Sequence, residues 1–298
     1  NLDLLNTEIA FSNKSDKELK KTAWLFKWMN NPNMVKIGSK LGLFAIKFKL
    51  PFTETVIRNT IFPQFCGGES LLDCQKVIDK LYEYDTLTIL DYGAEGKSYE
   101  DDLDTAMKET LKAIEMAASN NSVPVVSTKI TGLVDNLILE KLHNKETISE
   151  GDQRKFQHLY ERIDEICNKA SELGVSIFVD AEESWLQDPI DELVMQMMEK
   201  YNKERVTVYN TYQLYNTIKL EHMIRDDKRC LDKGVLFGSQ MVRAAYMDKE
   251  RERALELGIP SPIQPTKEAT DRDYNKALDY FIEHYVPISS CCASHKAD

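Results

Sequence analysis

The chain has 298 residues, with 38 lysines and arginines against 49 aspartates and glutamates, a net charge of −11 and 42% hydrophobic residues. A soluble chain of this size buries roughly three quarters of the surface it would expose unfolded, which excludes intrinsic disorder. The acidic balance argues against a nucleic-acid partner, and the most apolar N-terminal stretch is interrupted by Lys36, Lys40, Lys47 and Lys49, so no bilayer-spanning run is expected.

The chain opens Asn-Leu-Asp-Leu-Leu-Asn-Thr-Glu without a basic, apolar leader, so secretion is not expected, and the missing Met suggests trimming. A cytoplasmic location follows, peripheral at the inner membrane, or the mitochondrial matrix side in a eukaryote. Charge is unevenly spread. Nine lysines against four acids make residues 1–50 +5 and leave −16 for the rest. Ser15 with Glu18 forms a capping box ahead of Trp24, Leu25, Phe26 and Trp28 on a lysine-studded helix, and a second basic apolar helix is expected over residues 33–50. Residues 14–50 suit an anionic membrane surface, or pack on the body with their lysines solvated.

From residue 86 the chain alternates short β-branched runs with helical periodicity. Strands are expected at 86–91, 123–128, 175–180, 206–210, 235–243 and 288–293. Helices are expected between them: one capped by Ser98 with Leu103, Met107, Leu111 and Ile114 as its stripe, then 151–173, 188–202 and 269–284. Such spacing permits parallel crossovers and implies a βα barrel or a doubly wound sheet. The domain boundary is expected at residue 84, with a helical segment 1–84 before a barrel domain 85–298.

Neither GxGxxG nor GxxxxGK[ST] occurs, so a nucleotide cofactor would bind in another way. Six cysteines form no CxxC pair and five histidines form no HExxH or i, i+4 pair, so reduced thiols and no metal are expected. Polar clusters instead close every strand, where a barrel gathers its catalytic groups. Lys129 follows Val125-Val126-Ser127-Thr128 and suits a substrate carboxylate or a Schiff-base nucleophile. Asp180 ends an apolar run, where an anion requires a partner. Glu182 and Glu183 serve either the site or the following turn, Trp185 reads as packing and Cys291-Cys292 as strand filling, while Arg243 and Tyr246 are further candidates.

These strand ends resemble, in order, those of proline dehydrogenases: Asp91-Tyr92-Gly93-Ala94-Glu95-Gly96-Lys97, Lys129-Ile130-Thr131-Gly132-Leu133, Val179-Asp180-Ala181-Glu182-Glu183-Ser184, Tyr209-Asn210-Thr211-Tyr212-Gln213, Val242-Arg243-Ala244-Ala245-Tyr246-Met247 and Ala293-Ser294-His295. The block Pro262-Ile263-Gln264-Pro265-Thr266-Lys267 and the segment Phe65-Cys66-Gly67-Gly68-Glu69 are similar as well. The resemblance implies an α/β fold, a distorted (βα)8 TIM-type barrel that holds FAD, oxidises L-proline to Δ1-pyrroline-5-carboxylate and passes electrons to a membrane quinone. It also implies roles. Lys129 would bind the proline carboxylate, Asp180 would organise the pocket and its cations, and Glu95 would orient a carboxylate-binding arginine. Asn210 would contact the flavin ring, Arg243 and Tyr246 would form the fifth-strand wall, Lys267 the adenine side, and Ser294 with His295 the flavin-side strand end.

The chain departs from that pattern at Gln240, where the family carries Arg or Lys, and at Ala244 and Lys296, where it carries Gly and Asn. The family's last two strands and its tandem-arginine helix are not in this sequence, so the barrel domain is expected to be incomplete at its C-terminus. A non-catalytic scaffold homologue, or a lyase or aldolase using Lys129 as a Schiff base, are the competing readings.

Overall fold

The computed structural model describes residues 6–93, 96 and 98–294, and it parts the chain into two units between Leu87 and Thr88. The first unit is helical: α1 (Thr7–Ala10), α2 (Asp16–Met29), α3 (Pro32–Lys47), α4 (Thr53–Thr60), α5 (Phe62–Phe65) and α6 (Leu71–Tyr82). Helix α2 starts with the expected capping box: the Ser15 side chain accepts from Glu18 N, and Glu18 accepts from Ser15 N at 2.8 Å. These bonds from Ser15, with help from Lys80, bring the Glu18 carboxyl down to about 2. Neither α2 nor α3 has a buried residue.

The second unit alternates strand and helix. Its order is β1 (Ile89–Asp91), α7 (Glu100–Ala118), β2 (Val125–Thr128), α8 (Asn136–His143), α9 (Glu150–Leu173), β3 (Ser176–Val179), α10 (Ser184–Tyr201), β4 (Val208–Gln213), α11 (Lys219–Lys233), β5 (Phe237–Val242), α12 (Met247–Leu257), α13 (Lys267–Glu283) and β6 (Ile288–Ala293). The six strands are all parallel and lie side by side in chain order. That is the singly wound arrangement of a βα barrel and not the doubly wound alternative, whose strand order reverses. Among the described residues β1 and β6 do not pair with each other.

Several expected boundaries move: β1 starts at Ile89 rather than residue 86, β5 spans Phe237–Val242 and α13 starts at Lys267. Tyr99, not Ser98, precedes α7, and the Tyr99 side chain makes no capping bond. The helix expected from 188 starts at Ser184, and β4 continues to Gln213. The helix layer packs on one face of the sheet through α7, α9, α10 and α11; Leu103, Ile114, Ile163, Ile166, Ile190 and Met197 of the helices are buried, as are Val126, Ile177 and Val179 of the strands.

Gly238 in β5 sits where the neighbouring strand leaves no room for a side chain. A Cβ there would stand 2.3 Å from Val208 O and 2.6 Å from Val206 Cγ1. Because one obstacle is backbone, only movement of a strand would relieve it. Gly238→Ala is therefore expected to destabilise the fold by about 2–3 kcal/mol, as overpacking of a close-packed core does. A urea-unfolding midpoint equal to that of the parent protein would contradict this account.

Candidate active site

Residues laterally paired in a sheet share a face, and neighbours along a strand alternate. In β4 the Asn210 and Tyr212 side chains reach Asp191 of α10 and Asp226 of α11, at 3.0 Å each, so these positions face the helices. Tyr209, Thr211 and Gln213 therefore face away from the helix layer. The pairs Asp91↔Ser127, Ser127↔Phe178, Phe178↔Tyr209, Thr211↔Gln240 and Gln240↔Cys291 carry that inner face across the sheet. Continued by one alternation past β2 and β3, it takes in Lys129 and Asp180. Lys129, Asp180 and Gln240 thus share one face near the C-terminal ends of their strands.

Hydrogen bonds fix this face. Thr211 Oγ1 donates to Gln240 Oε1 at 2.8 Å, Gln213 Nε2 donates to the Glu182 carbonyl at 2.7 Å, and Asp180 N donates to Thr128 O at 2.9 Å. Glu182 is the hub. It is 2% exposed, its carboxylate accepts from Thr131 N at 2.9 Å and from Thr131 Oγ1, and its own amide donates to Gln187 Oε1 at 2.7 Å. One side chain thereby ties the loop that carries Lys129 to the loop that carries Asp180.

Burial pushes the Glu182 carboxyl up to about 7, against the opposing pull of the Thr131 bonds and the nearby Lys129 ammonium. An acid whose folded pKa lies above its unfolded one stabilises the fold while protonated. Glu182's contribution is complete below the ordinary carboxylate range and is lost as pH rises toward 7, a difference of up to about 3 kcal/mol. In Glu182→Gln the unfolding free energy should lose this fall between mildly acid and neutral pH. Parallel pH profiles for the two proteins would refute the assignment.

The other sequence-derived candidates lie elsewhere. Asn210 is fully buried on the helix side, where its amide holds Asp191, so the structure does not bring its side chain together with Lys129 and Asp180. Arg243, Lys267 and Ser294 form a second cluster beside the sheet. Arg243 Nε donates to Asp271 Oδ1 at 2.7 Å, its Nη1 bonds Ser294 Oγ, and its guanidinium lies 4.2 Å from the centre of the Tyr274 ring. Lys267 bonds the other Asp271 oxygen, and Lys267, then Arg243, hold the Asp271 carboxyl below its usual range. Tyr246 precedes α12, its carbonyl accepting from Glu250 N at 2.9 Å. Glu95 and His295 lie outside the described residues.

Two inner-face groups escaped the sequence reading. Ser127 Oγ and Gln213 Oε1 are buried without a hydrogen-bond partner among the described residues, so this face retains polar capacity that its own side chains do not fill. The signal for Gln213 was its two-residue spacing from Thr211. Asp188, Asp191 and His222 bring three metal-ligating atoms within 4.8 Å of one another. The Lys219 ammonium, 2.5 Å from Asp191 Oδ2, already supplies the cation there.

The comparisons agree with this architecture. The family model for proline dehydrogenase matches residues 74–298. The carbapenem antibiotics biosynthesis protein CarD of Pectobacterium carotovorum is 28% identical over 88% of this chain and 69% of its own length. Proline dehydrogenase 1 of Dictyostelium discoideum, a mitochondrial protein by name, is 28% identical over 99% of this chain, and the human protein of that name is 36% identical over 50% of it. This chain spans 59% and 26% of those two proteins. Among solved structures, proline utilization A from Bdellovibrio bacteriovorus, inactivated by N-propargylglycine, superposes with a TM-score of 0.69 at 18% identity, over 97% of this chain and 31% of that one. With most of its length matched by the family model, the chain belongs to the proline dehydrogenase family.

Proposed function

We propose that this chain carries the greater part of a site that binds FAD and oxidises L-proline to Δ1-pyrroline-5-carboxylate, with electrons passing to a membrane quinone. The observation that carries the reading is the convergence of Lys129, Asp180, Gln213 and Gln240 on one face at the strand ends. An ammonium beside the buried Glu182 and the half-buried Asp180 suits a zwitterionic amino acid, with Lys129 anchoring its carboxylate through a charge-assisted bond. Glu182 and Thr131 hold the Lys129 loop in place. Asp180 organises the pocket and its cations. The Thr211 bond leaves the Gln240 amide nitrogen to donate, although Gln240 brings no charge with which to stabilise a reduced, anionic flavin.

The residues present fit the cofactor. The unfilled acceptors on Ser127 and Gln213 offer hydrogen-bonding capacity on the inner face, and Arg243 and Lys267, both bonded to Asp271, are side chains of the kind that bind phosphate. Bound FAD would supply the two-electron oxidant that takes hydride from the proline ring carbon. Arg243 and Tyr246 would then form the fifth-strand wall, Lys267 the adenine side and Ser294 the flavin-side strand end. Glu95 and His295, outside the described residues, keep the roles the resemblance implies. Within this reading the barrel domain begins near residue 85.

The test is the visible absorbance of the full-length protein, recorded before and after adding L-proline without oxygen. An oxidised-flavin spectrum that bleaches supports the reading. A protein that stays colourless when FAD is supplied overturns it. We also propose that residues 14–50 rest on an anionic membrane, which would place the enzyme at the inner membrane of a bacterium or on the mitochondrial matrix side. Trp24, Trp28, Leu41, Phe44 and Phe48 are all exposed among the lysines of this segment, and no helix among the described residues is long and apolar enough to cross a bilayer. Co-sedimentation with anionic but not neutral vesicles is expected.

A further inference from the structure

Helix α10 begins directly after Asp180-Ala181-Glu182-Glu183, and its own N-cap residue, Glu183, makes no side-chain capping bond. Eighteen residues of helix therefore start with unsatisfied amides and the positive end of a dipole. The cap comes from elsewhere. Glu250, 66 positions on in α12 and only 2% exposed, accepts from Ser184 N at 2.7 Å and from Ser184 Oγ at 2.7 Å. Its own amide donates to the Tyr246 carbonyl at 2.9 Å. Two further contacts brace the same joint: Lys249 Nζ lies 2.5 Å from Glu183 Oε1, and the Arg253 guanidinium lies 4.5 Å from the centre of the Trp185 ring. Glu250 is thus one helical turn from Tyr246 on one side and one hydrogen bond from the Asp180–Ser184 segment on the other.

We propose that Glu250 is a positioning residue that caps α10 from α12 and so fixes the strand-three loop, with Asp180 and Glu182, against the strand-five loop, with Tyr246. The catalytic part rests on the function proposed above; the mechanical part does not. The outer braces, Lys249 and Arg253, are more exposed than Glu250, so the buried carboxylate sets the joint's rigidity. A loop held in its binding geometry spares the substrate that ordering, and releasing it lowers the competent fraction and raises the apparent dissociation constant in proportion. Loss of Glu250 should therefore act on KM more than on kcat.

The experiment compares the full-length protein with Glu250→Ala and Glu250→Gln, the latter retaining one acceptor. Amide hydrogen exchange over residues 180–187 should quicken at least tenfold in Glu250→Ala, with β3 and β4 protected as before, and Glu250→Gln should stay near the parent rate. Exchange unchanged over 180–187 in Glu250→Ala, or quickened equally throughout the sheet, overturns the proposal. The rate of flavin bleaching is then followed against proline concentration. At least a tenfold rise in half-saturating proline, with the limiting rate within threefold and rescue by Glu250→Gln, is expected, and a fall in limiting rate alone overturns the positioning role. If the parent protein fails to bleach, the proposed reaction fails, while the exchange result still decides the cap.

Discussion

Replacing Lys219 by methionine is expected to destabilise the protein by about 3–5 kcal/mol, the range for removing one partner of a buried ion pair. The Lys219 and Asp191 side chains are 5% and 6% exposed, with Nζ 2.5 Å from Oδ2. Asn210 Nδ2 at 3.0 Å and Gln187 Nε2 at 2.8 Å donate to the other Asp191 oxygen. Without the ammonium an anion remains in the core, with two neutral amides that are poor compensation for its lost hydration. A second change should undo much of this. Asp191→Asn in the Lys219→Met background keeps an acceptor for Asn210 and Gln187 and removes the charge, so it should recover more than half of the loss. Urea unfolding of both variants at neutral pH checks this. A single variant within about 1 kcal/mol of the parent would mean that the pair is not a buried charge pair in solution, since exposed pairs contribute only that much. The effect would also reach the inner face, because Asn210 sits beside Thr211, which holds Gln240.

The parts of the fold that the sequence made legible were those written in apolar periodicity. Strand β6 has the expected bounds, and α9 begins one residue before its expected start. Where polar residues are buried the pattern breaks down. Strand β4 is buried at all six positions, so its polar C-terminal half reads as a strand end although it pairs with Ser239, Gln240, Met241 and Val242. Helix α11 was not expected, because Asp226 and Asp227 stand among its buried positions beside Met223 and Cys230. Tyr212 and Tyr280 each donate to one oxygen of those two carboxylates from other elements, and local sequence does not show such partners. The early start of α10 has the same origin, since its cap lies on α12. Lys129 and Asp180 stood out as charges directly after apolar strands. The side-chain direction of Asn210 was not legible, because a strand buried on both faces shows no alternation from which to read it.

Lys129→Ala is expected to lower kcat/KM for proline by about a thousandfold, or about 4 kcal/mol, within the range for truncating one member of a buried, hydrogen-bonded charge pair. Lys129 sits half-buried at the end of β2, on the face shared with Asp180 and Gln240. Its loop is pinned by the Thr131–Glu182 bonds, which do not involve the Lys129 side chain. The substitution should therefore leave the loop in place while removing the cation that receives the substrate carboxylate. Much of the loss should appear in KM, because the carboxylate contact is made in the ground state as well as in the transition state. Flavin content should not change, since the cationic cluster of Arg243 and Lys267 is formed by other elements. Glu182 adds an internal check. The nearby Lys129 ammonium favours its ionised form, so Lys129→Ala should raise the Glu182 pKa further and move the pH-dependent loss of stability to higher pH. Unchanged kinetics with a shifted stability profile would confine Lys129 to an electrostatic role beside Glu182, and unchanged kinetics with an unshifted profile would remove it from the site.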